Sequence, residues 1–370
     1  MVDATEQRRI GDPVPGADRV KRKRLLIFGV IAFALVAPCV FYFSGAYDRW
    51  QDERSLADVC RGSVDTSEVK ELLGVDRLRG HDVEAEGGVN PHAGQLNKCS
   101  VGDPEGRAWL SAAMDWSSGA AGALHDFGGF EPYGDVGMAI PLGRGWEGVM
   151  DEGRSGNDLV ATVTMPCANH PGDPKRSSLI VTVKGQATHS IEANAQRTRF
   201  ARTTVKTAEN AARAWGCDVR PGGSIDRVSD NTAHAKVPQG KARGTCAGIA
   251  TAVRESATDP KAPIENCYLL SDSGKSRYRV SAFYGPFVQA LPAQLGYGDE
   301  LDPGKPAGRK GSSTWATAEC PSGGKALYIA TGLPDESDHF APDGQLELSA
   351  LKTFATRSAE RHGCTGLKLP

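Results

Sequence analysis

The sequence lacks the short motifs that mark most catalytic and metal-binding proteins. It contains no CxxC, HExxH, GxSxG or Walker A motif, so the common zinc sites, serine hydrolases and P-loop nucleotide sites have no support. The eight histidines are scattered without paired spacing, and the acidic residues show no pattern that selects a glycosidase pair. We therefore expect no catalytic residues, no metal and no cofactor, and the sequence favours a protein that is not an enzyme.

A strong charge of either sign is also missing. The 43 Lys and Arg residues nearly balance the 45 Asp and Glu residues, which leaves a formal net charge of −2. Binding of nucleic acid normally needs a basic stripe, so nucleic acid is not an expected partner. Aromatic residues make up only 7% of the chain, but a hydrophobic content of 39% is sufficient for cores at this length.

One long uncharged segment, residues 25–47, organises the chain. As a helix rising 1.5 Å per residue it would span about 34 Å, enough for a hydrocarbon core of about 30 Å. The basic cluster Lys21–Arg24 directly precedes it, and positive flanks stay in the cytoplasm. We predict a single-pass protein of the cell membrane, with a cytoplasmic tail over 1–24, a transmembrane helix over 25–47 and an extracytoplasmic remainder.

Two other interpretations of this segment are open. The first is a signal peptide that is cleaved after the small residues Ser44-Gly45-Ala46. The second is a lipoprotein signal that uses Cys39, although a proline precedes that cysteine and apolar sequence follows it. In each case the bulk of the chain is outside the cytoplasm.

The other eight cysteines all follow the uncharged segment. They are Cys60, Cys99, Cys167, Cys217, Cys246, Cys267, Cys320 and Cys364. An even number of cysteines in an oxidising compartment indicates disulfides, and eight cysteines allow 105 pairings. We take all eight as disulfide candidates.

Two stretches of the chain repeat one order of elements and cysteines. In the first we predict helix over 51–59 and 65–74, a strand over 109–116, short strands over 138–142 and 146–150, a hairpin over 159–167 and 178–184, and a helix over 198–215. In the second we predict an opening helix over 245–256, a strand over 277–284, a hairpin over 314–320 and 326–331, and a helix over 346–362. The closing helices end in AARAWGC at 211–217 and SAERHGC at 358–364.

This correspondence predicts an α+β fold made by duplication. The expected domains are 48–218 and 243–370, joined by a linker over 219–242, each an antiparallel sheet with helices on one face. If both copies pair their cysteines internally and alike, three arrangements remain. We favour Cys60–Cys99, Cys167–Cys217, Cys246–Cys267 and Cys320–Cys364, because the last two cysteines of each copy flank a hairpin and its helix. We expect a binding cleft between the copies.

Several short matches carry less information. GRGWEG at 143–148 fits GxGxxG, but no helix pattern follows it, so we expect a turn. Three SxxK matches, at 67–70, 322–325 and 349–352, and SDN at 229–231 are elements of penicillin-binding enzymes, but KTG is missing and the matches share no structural context. Five of the six tryptophans are most simply explained by core or hairpin packing, and a role in lining a groove stays open. They are Trp109, Trp116, Trp146, Trp215 and Trp315.

The overall pattern resembles uncharacterised envelope proteins of high-GC actinobacteria of the Streptomyces type. The resemblance consists of the basic N-terminus, the single anchor, the stretch Ile140–Gly148, the strand ending in Pro166-Cys167, and closing helices ending in Gly-Cys. It implies an envelope location and disulfides, and it implies no activity.

These observations favour a non-catalytic module that binds or scaffolds an envelope component or a protein partner. One alternative is an envelope hydrolase or transferase with a site built from loops, above all in the glycine-rich stretch 117–158. Another is a sensor or assembly subunit whose basic tail, with Arg8, Arg9 and Lys21–Arg24, contacts a cytoplasmic partner.

Overall fold

The structure is a computed structural model of the full chain. It describes residues 26–28, 30, 35–36, 41–42, 44–82, 94–127, 137–152, 158–170, 173–188, 193–217, 221–230, 235–293, 301–302, 304–321, 324–333 and 343–370. By contacts the chain divides into two units, Met1–Arg54 and Ser55–Pro370. Much of the predicted membrane segment 25–47 lies outside the described residues. Among the residues that are described, no helix is both long and apolar enough to cross a membrane.

The fold is α+β with two antiparallel sheets, as the sequence predicts. The first sheet contains β1 (Arg79–Asp82), β2 (Gln95–Gly102), β3 (Trp109–Trp116), β4 (Ile140–Pro141), β5 (Gly148–Glu152), β6 (Asp158–Pro166) and β7 (Ser178–Gln186). Its strand order is β1-β2-β3-β7-β6-β5-β4.

The second sheet contains β8 (Val253–Glu255), β9 (Ile264–Leu270), β10 (Ser276–Phe283), β11 (Gly308–Lys310), β12 (Ser313–Cys320), β13 (Gly324–Gly332) and β14 (Thr365–Lys368). Its order is β11-β12-β13-β10-β9-β8. The short strand β11 pairs only with the first residues of β12, and β14 pairs with the later part of β12, at Thr317 and Glu319. Starting from β1, six strands of the first sheet follow the order β1-β2-β3-β7-β6-β5. Starting from β8, the second sheet follows the order β8-β9-β10-β13-β12-β11, so the two arrangements correspond strand by strand.

Six helices are defined within the part of the chain that the structure describes. They are α1 (Ala46–Leu56), α2 (Thr66–Leu73), α3 (Ala120–Asp126), α4 (Asn194–Ala214), α5 (Pro286–Ala290) and α6 (Gly344–Arg361). Short 3-10 turns lie at Val59–Gly62, Ser117–Gly119 and Leu291–Ala293. The carboxylates of Asp65 and Asp343 cap α2 and α6 by accepting hydrogen bonds from the first free backbone N–H groups. Gly216 after α4 has a φ of 68°, which fits the predicted helix end.

The unit from Ser55 onward has four layers. Helix α4 packs on one face of the first sheet, and α6 packs on one face of the second. The opposite faces of the two sheets turn toward each other, where Val160 and Ile180 share a buried cluster with Ile264, Phe283 and Leu327. Helices α3 and α5 contact each other within this cluster. The two halves therefore share a continuous apolar interior.

One buried amide connects the second sheet to the segment that leads into β4 of the first sheet. Asn266 on β9 is fully buried; its Oδ1 accepts a hydrogen bond from Ala139 N at 3.0 Å, and its Nδ2 donates to Gly137 O at 3.0 Å. Ser256 Oγ donates to Ala139 O at 2.8 Å. A Cβ on Gly137 would lie 1.7 Å from Asp151 Oδ2, so only glycine fits there. We call these hydrogen bonds of Asn266 and Ser256 to residues 137–139 the inter-sheet contact.

The four disulfides follow the pairing that the sequence analysis favours. They join Cys60 with Cys99, Cys167 with Cys217, Cys246 with Cys267, and Cys320 with Cys364. The first and third are fully buried, whereas Cys320 and Cys364 are partly exposed.

The helix predicted over 245–256 is wrong. The segment forms turns followed by β8, because the carboxylate of Glu255 accepts hydrogen bonds from the backbone N–H groups of Arg243, Gly244 and Cys246. Gly248 has a φ of 86°, which a right-handed helix cannot include. Within the predicted linker, Ile225 and Val228 are buried in the core of the first half.

Candidate functional site

A cavity with a volume of about 440 Å³, lined by described residues, lies beside the second sheet. It lies between β12 and β13 on one side and residues 286–293, 301–302 and 304–306 on the other. Its lining residues are Val288, Gln289, Pro292, Leu301, Asp302, Gly304, Lys305, Pro306, Trp315, Thr317, Lys325 and Leu327. A volume of 300–1,000 Å³ is typical of small-molecule sites. We call this space the Trp315 cavity.

Strand alternation explains why these residues face the cavity. On β12, Ala316 and Ala318 pack in the cluster that contains α6, so Trp315 and Thr317 lie on the opposite face. On β13, Leu327 pairs with Thr317 and faces the same way. Half-buried Val288 on α5 and buried Leu301 complete the walls. The interior is therefore mainly apolar.

A glycine and a backbone carbonyl fix the indole of Trp315. Gly308 on β11 lies opposite Trp315, and a Cβ there would be 2.6 Å from the ring. The indole N–H donates to Lys305 O at 3.2 Å. The side chain is only 3% exposed, so it forms a fixed wall of the cavity.

Most polar groups around the cavity already have partners. Thr317 Oγ1 donates to Pro306 O at 2.7 Å, and Lys305 Nζ lies 3.3 Å from an Asp302 carboxylate oxygen. Lys325 and Gln289 are exposed, and the structure records no hydrogen bond or ion pair for either side chain with any described residue. The cavity therefore offers apolar walls, one cation and one amide.

The predicted cleft between the copies is not found among the described residues. The space there is a cavity of about 50 Å³, and the ion pair of Lys261 with Glu147, at 3.1 Å, lies at its wall. At about 30 Å³ per molecule this volume holds one or two waters, because the inner faces of the sheets pack directly on each other.

A second group of polar residues surrounds Glu265, which is 1% exposed on β9. Its carboxylate accepts from Ser358 Oγ at 2.5 Å and from Arg361 Nη2 at 2.7 Å, and His362 Nε2 lies 3.4 Å away. Burial acts to raise the pKa of Glu265, but the hydrogen bonds and charges of His362 and Arg361 outweigh burial and hold this pKa below its usual value.

Two tyrosines extend this network. Tyr284 stacks on His362 with ring centroids 3.8 Å apart, and its hydroxyl lies 2.5 Å from Ser358 Oγ. Burial raises the pKa of Tyr284 above its usual range and that of Tyr328 to about 12. Ser358 is fully buried and hydrogen bonds to a carboxylate rather than to the histidine, so it is not arranged as a nucleophile. The network joins α6 to β9 and is structural.

The GxGxxG match is a turn, as predicted. It connects β4 with β5, and Gly143, Arg144 and Gly145 all have positive φ. Trp146 Nε1 donates to Gly223 O at 2.8 Å, and a Cβ on Gly222 would lie 2.6 Å from the indole ring. The tryptophan thus packs against the segment that leads out of the first half.

The remaining short matches do not come together. Ser67 lies on α2, where its hydroxyl donates to Asp65 at 2.6 Å, and Ser349 lies on α6 in the other half. Ser322 and Asn231 are outside the described residues. Within the described part, one group has the spacing of metal ligands, Cys60, Asp82 and Cys99, but its two sulfurs are joined in a disulfide.

No family model, curated protein or solved structure matches this chain.

Sequence reasoning did not select the Trp315 cavity. From the sequence, Trp315 is one of five tryptophans expected in the core, and Lys325 is only the last residue of an SxxK match. One signal was available: alternation over 314–320 places Trp315 and Thr317 on one face, and a long Gly- and Pro-rich stretch, 285–311, precedes that hairpin. The geometry of that stretch, which depends on tertiary packing, could not be derived.

Proposed function

We propose that this chain is a membrane-tethered, extracytoplasmic binding protein that holds a small apolar ligand in the Trp315 cavity. The observation that carries the proposal is a space of about 440 Å³ whose walls are mainly apolar and whose inner polar groups are mostly satisfied within the protein. Such a space favours an apolar occupant, since a ligand with many polar groups would lose hydrogen bonds to water there.

The chemistry around the cavity supports binding rather than catalysis. Asp302 and Lys305 pair with each other, and Lys325 has no base or nucleophile hydrogen-bonded to it among the described residues. The glycine-rich stretch considered for a hydrolase contributes Gly137, Ala139 and the 143–145 turn to packing and chain reversal. These contacts favour a structural role for the part of that stretch that is described.

The proposed placement outside the membrane rests on the cysteines and on the anchor sequence. Four disulfides are stable in oxidising compartments and uncommon in the cytosol. The uncharged segment 25–47 follows the basic cluster Lys21–Arg24, which fits an anchor with its N-terminus in the cytoplasm. The matching strand order and disulfide positions of the two sheets support duplication of one ancestral domain.

Photochemical labelling of the full-length chain in nanodiscs tests the binding proposal. A neutral dodecanol carrying a diazirine should attach to peptides that contain residues 286–293, 301–306 or 313–320, and unlabelled dodecanol should suppress this labelling. Val288→Trp, which fills the cavity, should remove it, whereas Leu348→Trp on an exposed position of α6 should not. Labelling confined to the anchor segment, with none at the cavity, would refute the proposal.

A further inference from the structure

The charged residues around the Trp315 cavity are unbalanced. The lining contains two lysines, Lys305 and Lys325, and one aspartate, Asp302. Lys305 and Asp302 form an ion pair at 3.3 Å, which leaves Lys325 as the remaining charge of the lining. A cation beside an apolar space is the arrangement that recognises an anionic group on an apolar body.

Lys325 is placed at the edge of the cavity by the start of β13. It precedes Leu327 by two residues, so both side chains lie on the same face of the strand. Leu327 is 6% exposed, while Lys325 is exposed, so the lysine marks the side from which solvent reaches the apolar walls. An anionic group of a ligand at Lys325 can stay hydrated while the apolar part of the same ligand contacts Leu327 and Trp315.

Glu319 is the one acidic residue that lies directly opposite Lys325 in the described hairpin. It is exposed, and the structure records no ion pair between the two side chains. Glu319 nevertheless lowers the positive potential near Lys325, so its removal should strengthen the binding of an anion.

The volume restricts the number of alkyl chains. A methylene group and a water molecule have similar volumes, so at about 30 Å³ each the 440 Å³ space holds about 15 such groups. A lipid with two chains of about 16 carbons would need about 960 Å³ on the same basis. The cavity therefore fits one chain, and a two-chain lipid would have to leave about half of its chain length outside it.

We propose that the Trp315 cavity binds single-chain anionic amphiphiles of about 10 to 14 carbons, with the carboxylate or an equivalent anionic group at Lys325 and the chain along Trp315 and Leu327. This inference rests on the proposed function, since it specifies the ligand of the same cavity. It assigns to Lys325 the recognition of the head group and to the apolar walls the selection of chain length.

The test compares probes that differ in one feature each, again with the full-length chain in nanodiscs. A diazirine-bearing dodecanoate should label the cavity peptides at least about 10-fold more efficiently than the neutral dodecanol probe. Lys325→Gln should remove this preference and Lys325→Arg should keep it, whereas Glu319→Gln should increase it. Lys310→Gln, on exposed β11, is the matched control and should change nothing.

Competition with unlabelled carboxylates tests the role of the chain. Each methylene removed should weaken competition about 4-fold, so decanoate should compete about 15-fold less well than dodecanoate. A single-chain phosphate ester should compete, and a two-chain phosphatidic acid should not.

The outcomes separate the two proposals. If neither probe labels the cavity, the proposed function fails. If the alcohol and the carboxylate label the cavity equally and Lys325→Gln has no effect, the cavity binds apolar ligands but the inference about the anion is wrong. If phosphatidic acid competes as well as dodecanoate does, the restriction to one chain is wrong.

Discussion

Replacing Asn266 by alanine should destabilise both halves of the unit from Ser55 onward. The substitution leaves the buried Ala139 N–H without its hydrogen-bond partner. Gly137 C=O loses Asn266 but keeps the Tyr268 hydroxyl, which donates to it at 3.3 Å. A buried polar group left unsatisfied costs about 1–3 kcal/mol, so we expect the free energy of unfolding to fall by about that amount.

The assay is a urea titration of the full-length chain in a nonionic detergent, followed by circular dichroism and tryptophan fluorescence. Amide hydrogen exchange should then show lower protection in peptides from both β7 and β13, because the two sheets share one interior. Asn169→Ala is a matched control: that amide is exposed, and we expect a change below about 1 kcal/mol.

Asn266→Asp gives a further check. The new carboxylate still accepts from Ala139 N–H, but it places an acceptor against the carbonyl oxygen of Gly137. It should destabilise at least as much as alanine at neutral pH and less in acid, where the carboxyl can donate. A loss below about 0.5 kcal/mol for Asn266→Ala, or lower protection in β13 alone, would show that the contact does not couple the sheets.

Four other predictions concern the stability of the fold and of its disulfides. Arg361→Met should lower the free energy of unfolding by about 3–5 kcal/mol, because it leaves the buried Glu265 carboxylate without its cation. The fold lowers the pKa of Glu265, so the unfolded chain takes up a proton there at a higher pH than the folded protein does. Wild-type stability should therefore decline as the pH falls from the usual pKa of a glutamate through the lowered pKa of Glu265, and Glu265→Gln should flatten this part of a pH–stability curve. Mild reductant followed by differential alkylation should open Cys320–Cys364 before the fully buried disulfides, and opening of a buried disulfide first would contradict the role of exposure. Gly137→Ala should lower the melting temperature, because its Cβ would meet Asp151, and an unchanged melting curve would show that the backbone can shift there.

The hairpins and closing helices could be predicted because each has a pattern of its own. Ser178–Gln186 alternates apolar residues as far as Lys184, and the pairing of β6 with β7 follows. The helix predicted over 198–215 corresponds to α4, Asn194–Ala214. Its apolar residues recur at helical spacing, and this spacing distinguishes it from a strand. These elements gave the α+β class and the disulfide arrangement.

The missed elements lack such a pattern. Strand β9, IENCYLL, is buried at every position, so it shows no alternation of apolar and polar residues. Strand β2 includes Asn97 and Lys98, and these polar residues predict a connection rather than a strand. The helix expected near 245–256 was excluded by Glu255, whose partners are distant N–H groups that no local pattern reveals. The packed layer between the sheets, where a cleft was expected, likewise depends on long-range contacts.

The inter-sheet contact also affects the order in which the chain can fold during synthesis. Residues 139 and 266 are 127 positions apart, so during synthesis at about 5–20 residues per second the backbone at 137–139 waits about 6–25 s for its partner. Once β7 has been made, within that interval, the inner face of the first sheet, with Val160 and Ile180, has no second sheet to cover it. The first half must therefore emerge with an uncovered apolar surface, and newly made chains should be most prone to aggregate, or to be held by a chaperone, before β9 has been made.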